Sequence, residues 1–104
     1  MKSVQDFRKV KQEIEERYRR IYEQELEKVL EQVEANVEKQ FELLANEQKI
    51  TIEDCCIECP KEVHVTLHLK LVSEINDKIR ESGIWVEYDR DKIKVVVPVI
   101  GSVW

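Results

Sequence analysis

The sequence predicts an α+β fold in which a long N-terminal amphipathic helix precedes a small antiparallel domain with the element order β-β-α-β-β. Two observations predict it. No glycine or proline occurs before Pro60, and apolar residues recur at helical spacing from Val4 to about Ala45. After Lys49 the apolar residues alternate instead, which is the period of a strand. We therefore divide the chain into an oligomerisation helix at 1–47 and a small α+β domain at 48–104.

The long helix has a recognisable start and a nearly straight apolar stripe. Ser3 is placed to cap it, and Asp6 completes a capping-box pattern three residues later. Between Leu26 and Leu44 the apolar steps average about 3.6 residues, which favours a straight helix over a heptad coiled coil. Such a helix is about 63 Å long, whereas a compact chain of this size has a radius of gyration near 13 Å, by an estimate of about 2.2·N^0.38. The domain that follows is too small to cover it.

A second copy of the chain is the expected cover for this stripe. Residues 1–20 hold seven basic and four acidic side chains, and residues 21–50 hold three basic and eight acidic ones. An antiparallel helix pair would therefore place unlike charges together, and a two-fold homodimer would repeat the contact. The predicted interface consists of ten apolar residues: Phe7, Ile14, Tyr18, Ile21, Leu26, Leu30, Val33, Val37, Phe41 and Leu44. In the alternative, the stripe folds back on the chain's own sheet and part of the helix projects alone.

The first half of the small domain allows two interpretations. Residues 50–57 are predicted as a strand, and residues 63–71 alternate apolar and polar side chains as a second strand would. The same apolar residues also lie four apart, which fits a helix from Pro60 to Ser82. We favour the strand, because its β-branched residues suit a sheet and because Ser73 is placed to cap a shorter helix.

The second half of the domain is easier to assign. Gly83 is placed to end a helix in the left-handed conformation. Residues 84–88 and 92–97 then form a hairpin around Asp89-Arg90-Asp91. The remaining residues, 99–104, are apolar for a chain end, and we expect them to dock on the domain.

Composition excludes several classes of partner. Charged residues make up 38% of the chain and the net charge is −5, which argues against general binding to nucleic acid or to anionic membranes. The longest apolar run, residues 95–100, contains Pro98 and is far shorter than the roughly 20 residues that span a bilayer. Three cysteines do not make a secreted disulfide framework. We expect a cytoplasmic protein without a membrane segment.

One group of residues has ligand chemistry. Cys56, Cys59, His64 and His68 would supply two thiolates and two imidazoles, the donor set of a tetrahedral zinc site. A helix would place both imidazoles on one face near the thiols, whereas a strand would hold them about 13 Å apart. The alternative is that the cysteines are small buried residues and the histidines lie on a polar face. A redox function for the two cysteines has less support, because the chain lacks the α/β pattern of thioredoxin-like proteins.

No catalytic motif accompanies this group. The chain contains no glycine-rich phosphate loop, no G-x-S-x-G and no H-E-x-x-H. Its many carboxylates are spread along the predicted helix rather than gathered in a pocket. We therefore expect a protein that is not an enzyme and has no cofactor, with zinc as the alternative.

The end of the chain resembles a known class of proteins. A helix that closes at Glu81-Ser82-Gly83, followed by the strands 84–89 and 92–95, is similar to the ending of small bacteriophage accessory proteins of unknown function. The resemblance implies a viral accessory or host-interaction protein in the host cytoplasm and transfers no functional residue. Our hypothesis is a non-enzymatic, oligomeric protein-protein interaction protein with a possible host partner. The alternative is a small zinc-binding module that contacts nucleic acid or protein.

Overall fold

The long helix and the small domain are both present in the computed structural model, which describes residues 1–99. The regular elements are α1 (Val4–Ala45), β1 (Cys56–Glu58), α2 (His68–Ile79), β2 (Trp85–Asp89) and β3 (Lys92–Val96). Short 3-10 turns lie at Glu53–Cys55, Val65–Leu67 and Arg80–Ser82. The α+β class and the long N-terminal helix are confirmed, with three strands in the described residues where four were predicted. The predicted docking of residues 99–104 falls almost wholly outside the described part.

Both ends of α1 are where the sequence predicts them. The Ser3 hydroxyl accepts the Asp6 backbone N–H, and the Asp6 carboxylate accepts the Ser3 N–H at 2.9 Å, which completes the capping box. These hydrogen bonds hold the pKa of Asp6 below its ordinary value. At the other end, Glu47 takes a left-handed conformation and the chain turns away after Ala45.

The sheet is antiparallel with the order β1-β3-β2, so β3 is its central strand. The predicted hairpin is confirmed, and Val86 pairs with Val95 across it. Arg90 and Asp91 both have positive φ, as a two-residue hairpin loop of the right twist requires. One face of the sheet is exposed, and the other packs beneath the two helices.

The prediction that residues 63–71 form a strand is wrong. They form a 3-10 turn and the first turn of α2, and Ser73 lies inside that helix instead of capping it. The helix buries Leu71 and Ile75 completely, four residues apart, whereas a strand would have buried Leu69, which is exposed. Core packing therefore outweighed the β-branched residues of this segment.

The core lies between the sheet and both helices. Its buried apolar residues are Tyr22, Leu26, Val29, Val33, Ile57, Cys59, Val63, Leu71, Val72, Ile75, Val86, Ile93 and Val95. Two buried amides on α1 extend it. The Gln40 side-chain amide donates to Asn36 at 2.7 Å and to the Val95 carbonyl at 3.3 Å, and the Asn36 amide donates to the Asp54 carbonyl at 2.8 Å. These bonds fix the position of α1 on the sheet.

A third side-chain amide, that of Asn76, completes the edge of the sheet. The Asn76 side chain on α2 accepts the Val86 N–H at 2.7 Å and donates to the Val86 carbonyl at 3.0 Å. Because β2 is an edge strand within residues 1–99, these backbone groups have no neighbouring strand on that side in the described part of the chain. Asn76 therefore takes the place of one more strand and attaches α2 to the sheet.

Replacing Asn76 by alanine leaves both backbone groups of the buried Val86 without a partner. We expect Asn76→Ala to lower the free energy of unfolding by about 2 kcal/mol, measured by urea denaturation. The matched control is Asp77→Ala, which removes only an exposed ion pair to Arg80 and should change stability by less than about 0.5 kcal/mol. Equal losses in the two variants would contradict the role of Asn76.

Candidate functional site

The first twenty residues of the chain project from the domain, and we call them the arm. Every residue of the arm is exposed, and burial begins only at Ile21 and Tyr22. The molecule measures 69 × 25 × 16 Å, and its radius of gyration is 18.0 Å. That radius is well above the value near 13 Å of a compact chain, estimated as about 2.2·N^0.38. The arm is thus an extension of α1 that the domain leaves exposed, and only near its end does a side chain, Tyr18, border the domain, in a groove shared with Val63 and Leu67.

The arm carries a continuous apolar stripe, formed by Val4, Phe7, Val10, Ile14 and Tyr18. Their helical spacing places all five on one side of the arm. Phe7 is 67% exposed and Tyr18 59%, and even Ile14, the least exposed of the five, is 38% exposed. Single apolar residues on a surface are ordinary, but a contiguous apolar stripe marks an interaction site.

The ten residues of the predicted interface fall into two groups. Leu26, Leu30, Val33 and Val37 pack against the chain's own core and are not free to meet a second copy. Phe7, Ile14, Tyr18 and Phe41 are exposed, and Ile21 and Leu44 are partly exposed. The fold-back alternative thus describes α1 from Tyr22 to Gln40, while the arm keeps its stripe uncovered. Val4 and Val10 are absent from the predicted interface, although their helical spacing places them on the same stripe and was enough to predict them.

Because the apolar stripe of α1 packs against the domain from Tyr22 to Val37 and is exposed in the arm, a full-length antiparallel pair of α1 helices has little exposed apolar surface to share. Such a pair would set the basic arm of one copy against residues 21–45 of the other. The main apolar stripe of that half is already buried under the sheet and α2. Opposite charges alone would have to hold the contact, and exposed ion pairs contribute little. The arm is therefore the part of α1 whose apolar stripe remains exposed.

Ion pairs within the arm use only some of its charges. Lys11 lies 3.7 Å from Glu15, and Glu16 lies 3.3 Å from Arg20 and 3.8 Å from Arg19. The Arg17 guanidinium stands 6.0 Å from the centre of the Tyr18 ring, beside the apolar stripe. All these contacts join residues within about one helical turn, so they stabilise the helix without covering the stripe.

The four predicted zinc ligands do not converge. Cys56 begins β1 and Cys59 directly follows its last residue, so the strand between them separates their Cα atoms by about 10 Å at roughly 3.3 Å per residue. His64 is exposed, and its Nδ1 lies 2.8 Å from the Thr66 hydroxyl. The Nε2–H of the buried His68 donates to the Val63 carbonyl at 2.9 Å. Within residues 1–99, no group of three or more His, Cys, Asp or Glu side chains is placed to hold a metal ion.

Two of the cysteine thiols are held in their protonated form. Burial, with the nearby charges of Asp91 and Glu58, raises the pKa of Cys59 to about 11. Burial also raises the pKa of Cys55, and its neighbour Cys56 adds to the effect. Since the thiolate is the metal ligand and the redox nucleophile, these surroundings favour neither chemistry. The arrangement is that of small apolar residues at the edge of a core.

His68 and Tyr22 have structural contacts instead. The His68 ring packs 6.0 Å from Tyr88, centre to centre, and holds the loop at Val63 against the start of α2. Tyr22 lies where the arm meets the domain, with Lys70 Nζ 5.0 Å from its ring centre. Burial raises the pKa of Tyr22, and the carboxylate of Glu74 nearby raises it further. Both rings position α2 against the rest of the chain.

A chelator should not unfold this protein. We expect the melting temperature, followed by circular dichroism, to be the same with equimolar zinc and with excess EDTA, because the four candidate ligands do not meet. Cys56→Ser and His64→Ala should each melt within about 2 °C of the wild type, since both side chains lie outside the buried core. Zinc bound at one ion per chain, and lost together with the fold, would contradict this expectation.

The Cys59 thiol gives a pH dependence with a defined sign. Its pKa is raised in the folded chain, so the stabilisation it contributes is complete below its unfolded pKa near 8.5, a typical value for a free thiol, and falls as the pH rises toward about 11. Cys59→Ala removes this ionisable group. We therefore expect wild-type stability to fall more steeply than that of Cys59→Ala between these limits. Parallel curves from denaturant titrations would show that burial does not affect the thiol.

Comparison with known proteins assigns no family to the chain. No protein-family model matches it, and neither does any curated protein sequence or any solved structure. Among residues 1–99, no helix is both long and apolar enough to cross a membrane. The function is therefore argued from the arm and from the contacts of the small domain.

Proposed function

We propose that this chain is a non-enzymatic interaction protein that self-associates through its arm and presents the small α+β domain to a further protein. The observation that carries the proposal is the uncovered apolar stripe from Val4 to Tyr18, on a helix that is too long for its own domain. A contact that buries this stripe would remove a contiguous apolar surface from water.

Burial of the stripe supplies the driving force. Each large apolar side chain contributes about 1.5–3 kcal/mol when it is fully buried, and five of them line one face of the arm. A free helix of the arm's length would be marginal in water. The arm, however, continues a helix that is anchored on the sheet from Tyr22 onward, so it is held in shape for a partner. Less ordering entropy is lost when such a preformed surface binds.

A second copy of the chain satisfies this requirement most simply. In a two-fold pair, each stripe covers the same stripe on the other copy, so one sequence supplies both halves of the interface. The stripe is narrow and the pair would bury a small area, which suits a dimer that forms at micromolar concentration. The homodimer thus remains our proposal, with its interface in the arm alone.

The contacts of the cysteines and histidines support a binding role over a catalytic one. An enzyme site brings titratable groups together in a cavity, whereas these side chains are separated or engaged in holding the fold. The domain is left free to contact a further partner. Together with the resemblance of the C-terminal hairpin, this leads us to propose an accessory role toward a host protein.

Polar substitutions in the stripe should separate the two copies. We expect the wild type to sediment as a dimer at tens of micromolar, and Phe7→Gln/Ile14→Gln to dimerise at least about tenfold more weakly, a loss of roughly 1.4 kcal/mol or more. Glutamine keeps helix propensity high, so the arm should stay folded. The measurement is sedimentation equilibrium.

The matched control is Phe41→Gln/Leu69→Gln, which changes two apolar helical residues outside the arm that are at least as exposed as Phe7 and Ile14. This variant should dimerise like the wild type. A monomeric wild type at tens of micromolar would refute the proposal. Equal weakening by the two double variants would mean that the arm has no special role.

A further inference from the structure

We infer that the arms of two copies pair in antiparallel orientation about a two-fold axis that passes between Lys11 and Gln12. The inference rests on the proposed self-association and adds its orientation and register. Three features of the arm carry it: the order of its charges, the flank on which each charge lies, and the lack of an acidic partner for Arg8 among the described residues.

Charges along the arm come in blocks of alternating sign. An acidic residue, Asp6, is followed by a basic block, an acidic block and a second basic block; these are Arg8, Lys9 and Lys11, then Glu13, Glu15 and Glu16, then Arg17, Arg19 and Arg20. When a second arm is placed antiparallel to the first and both are centred between Lys11 and Gln12, the first basic block of one arm faces the acidic block of the other. The same placement sets Asp6 against the second basic block. A parallel pair would set each block against its own sign.

The helical positions of these charges agree with the same axis. Arg8 and Glu15 are seven residues apart, close to two full turns, so they share one flank of the stripe. Asp6 and Arg17 are eleven residues apart, close to three turns, and share the opposite flank. Both pairs have the same midpoint, between Lys11 and Gln12. The Arg8/Glu15 pair and the Asp6/Arg17 pair lie on different flanks, and each of them separately indicates the same two-fold axis.

When a two-fold axis runs perpendicular to an antiparallel helix pair, each flank of one helix faces the same flank of the second helix. Arg8 then faces Glu15 of the second copy, and Glu15 faces Arg8 in return. On the other flank, Asp6 and Arg17 face each other in the same reciprocal way. The dimer would hold four ion pairs along its edges, with the apolar stripe between them.

Among the residues that the structure describes, Arg8 has no acidic partner. It makes no ion pair within 4.0 Å with any of residues 1–99. Its helical neighbours three and four positions away are Val4, Gln5, Lys11 and Gln12, none of them acidic. Glu15 lies about 10.5 Å further along the helix axis, which is too far for a contact. Arg8 is therefore free to pair with an acidic residue of a second copy.

The apolar stripe fits the same antiparallel placement. In the charge register, position 4 faces position 19 and position 7 faces position 16, so Val4 lies within one residue of Tyr18 of the second copy and Phe7 within two residues of Ile14. Lys11 is the exception, because it lies at the edge of the stripe close to the axis and meets its own copy. Its ion pair with Glu15 in the same chain reduces that repulsion. The charge register therefore also brings the apolar side chains of the two stripes close together. Its one identifiable cost is the repulsion between the two copies of Lys11.

Charge reversal and its rescue test the register. In the two-fold pair, Arg8→Glu alone sets two glutamates together at two sites, and Glu15→Arg alone does the same with arginines. We expect each single variant to weaken dimerisation about fivefold in low salt, as two lost and reversed pairs of about 0.5 kcal/mol would imply. Arg8→Glu/Glu15→Arg restores both contacts between the copies, although it still lacks the Lys11–Glu15 ion pair, so it should dimerise more tightly than either single variant without fully reaching the wild type. The differences should shrink in 1 M salt.

Distances provide a second measurement that does not depend on charge. Spin labels on a non-canonical ketone side chain, which spares the three cysteines, would be placed at Gln12 or at Lys2. The antiparallel register brings the two Gln12 labels close together and separates the two Lys2 labels by about 28 Å along the helix axis. A parallel pair would bring both label pairs close.

The outcomes separate the two proposals. A dimer with weakened single variants, a double variant that dimerises more tightly than either of them, and distant Lys2 labels would support the register. A dimer in which the double variant is no tighter than the single variants, or in which the Lys2 labels are close, would overturn the register and leave self-association standing. A wild type that stays monomeric at tens of micromolar would overturn both.

Discussion

The contact between the second half of α1 and the sheet is the interaction on which the rest of the structure depends. Tyr22, Leu26, Val29 and Val33 supply the apolar part of it, and the buried amides of Asn36 and Gln40 add hydrogen bonds to the sheet and to the turn before β1. Without this face of α1, one side of a three-stranded sheet and a twelve-residue helix would lack cover. Domains of this size are marginal on their own. The helix is therefore part of the domain core as well as an extension beyond it.

The same contact determines what the arm can do. The apolar side chains of α1 recur with one period from end to end, but the domain is long enough to cover only half of them. Packing in that half uses residues that a dimer could otherwise have shared, so the proposed interface shifts to the twenty exposed residues of the arm. A long helix with an anchored half and a free half provides a preformed surface, and such a surface binds at low entropic cost.

The sequence pattern between Pro60 and Ser73 is not sufficient to predict the secondary structure of that segment. Its apolar residues fit both the period of a strand and the four-residue spacing of a helix. The choice depended on which side chains the rest of the core could accept, and α1 and β2 offered a place for Leu71 and Ile75 together. The same outcome separated the two histidines of the predicted zinc site, because the helix begins only at His68 and leaves His64 outside it. The linear motif contains the donor types of a zinc site, but within residues 1–99 the packing of α2 does not bring those side chains together.

The sequence by itself determined the features that depend on local interactions. These are the length of α1, its capping box, the left-handed Gly83, the hairpin from Trp85 to Val96, and the charge blocks of the arm. Each rests on contacts between residues close in the chain, so a periodicity or a turn motif is enough to predict it. Tertiary structure alone decided that residues 63–71 turn into a helix and that the cysteines and histidines stay apart. It also decided that the stripe of α1 is buried on one half and exposed on the other. These outcomes depend on how much apolar surface distant elements can cover, and no local pattern contains that quantity.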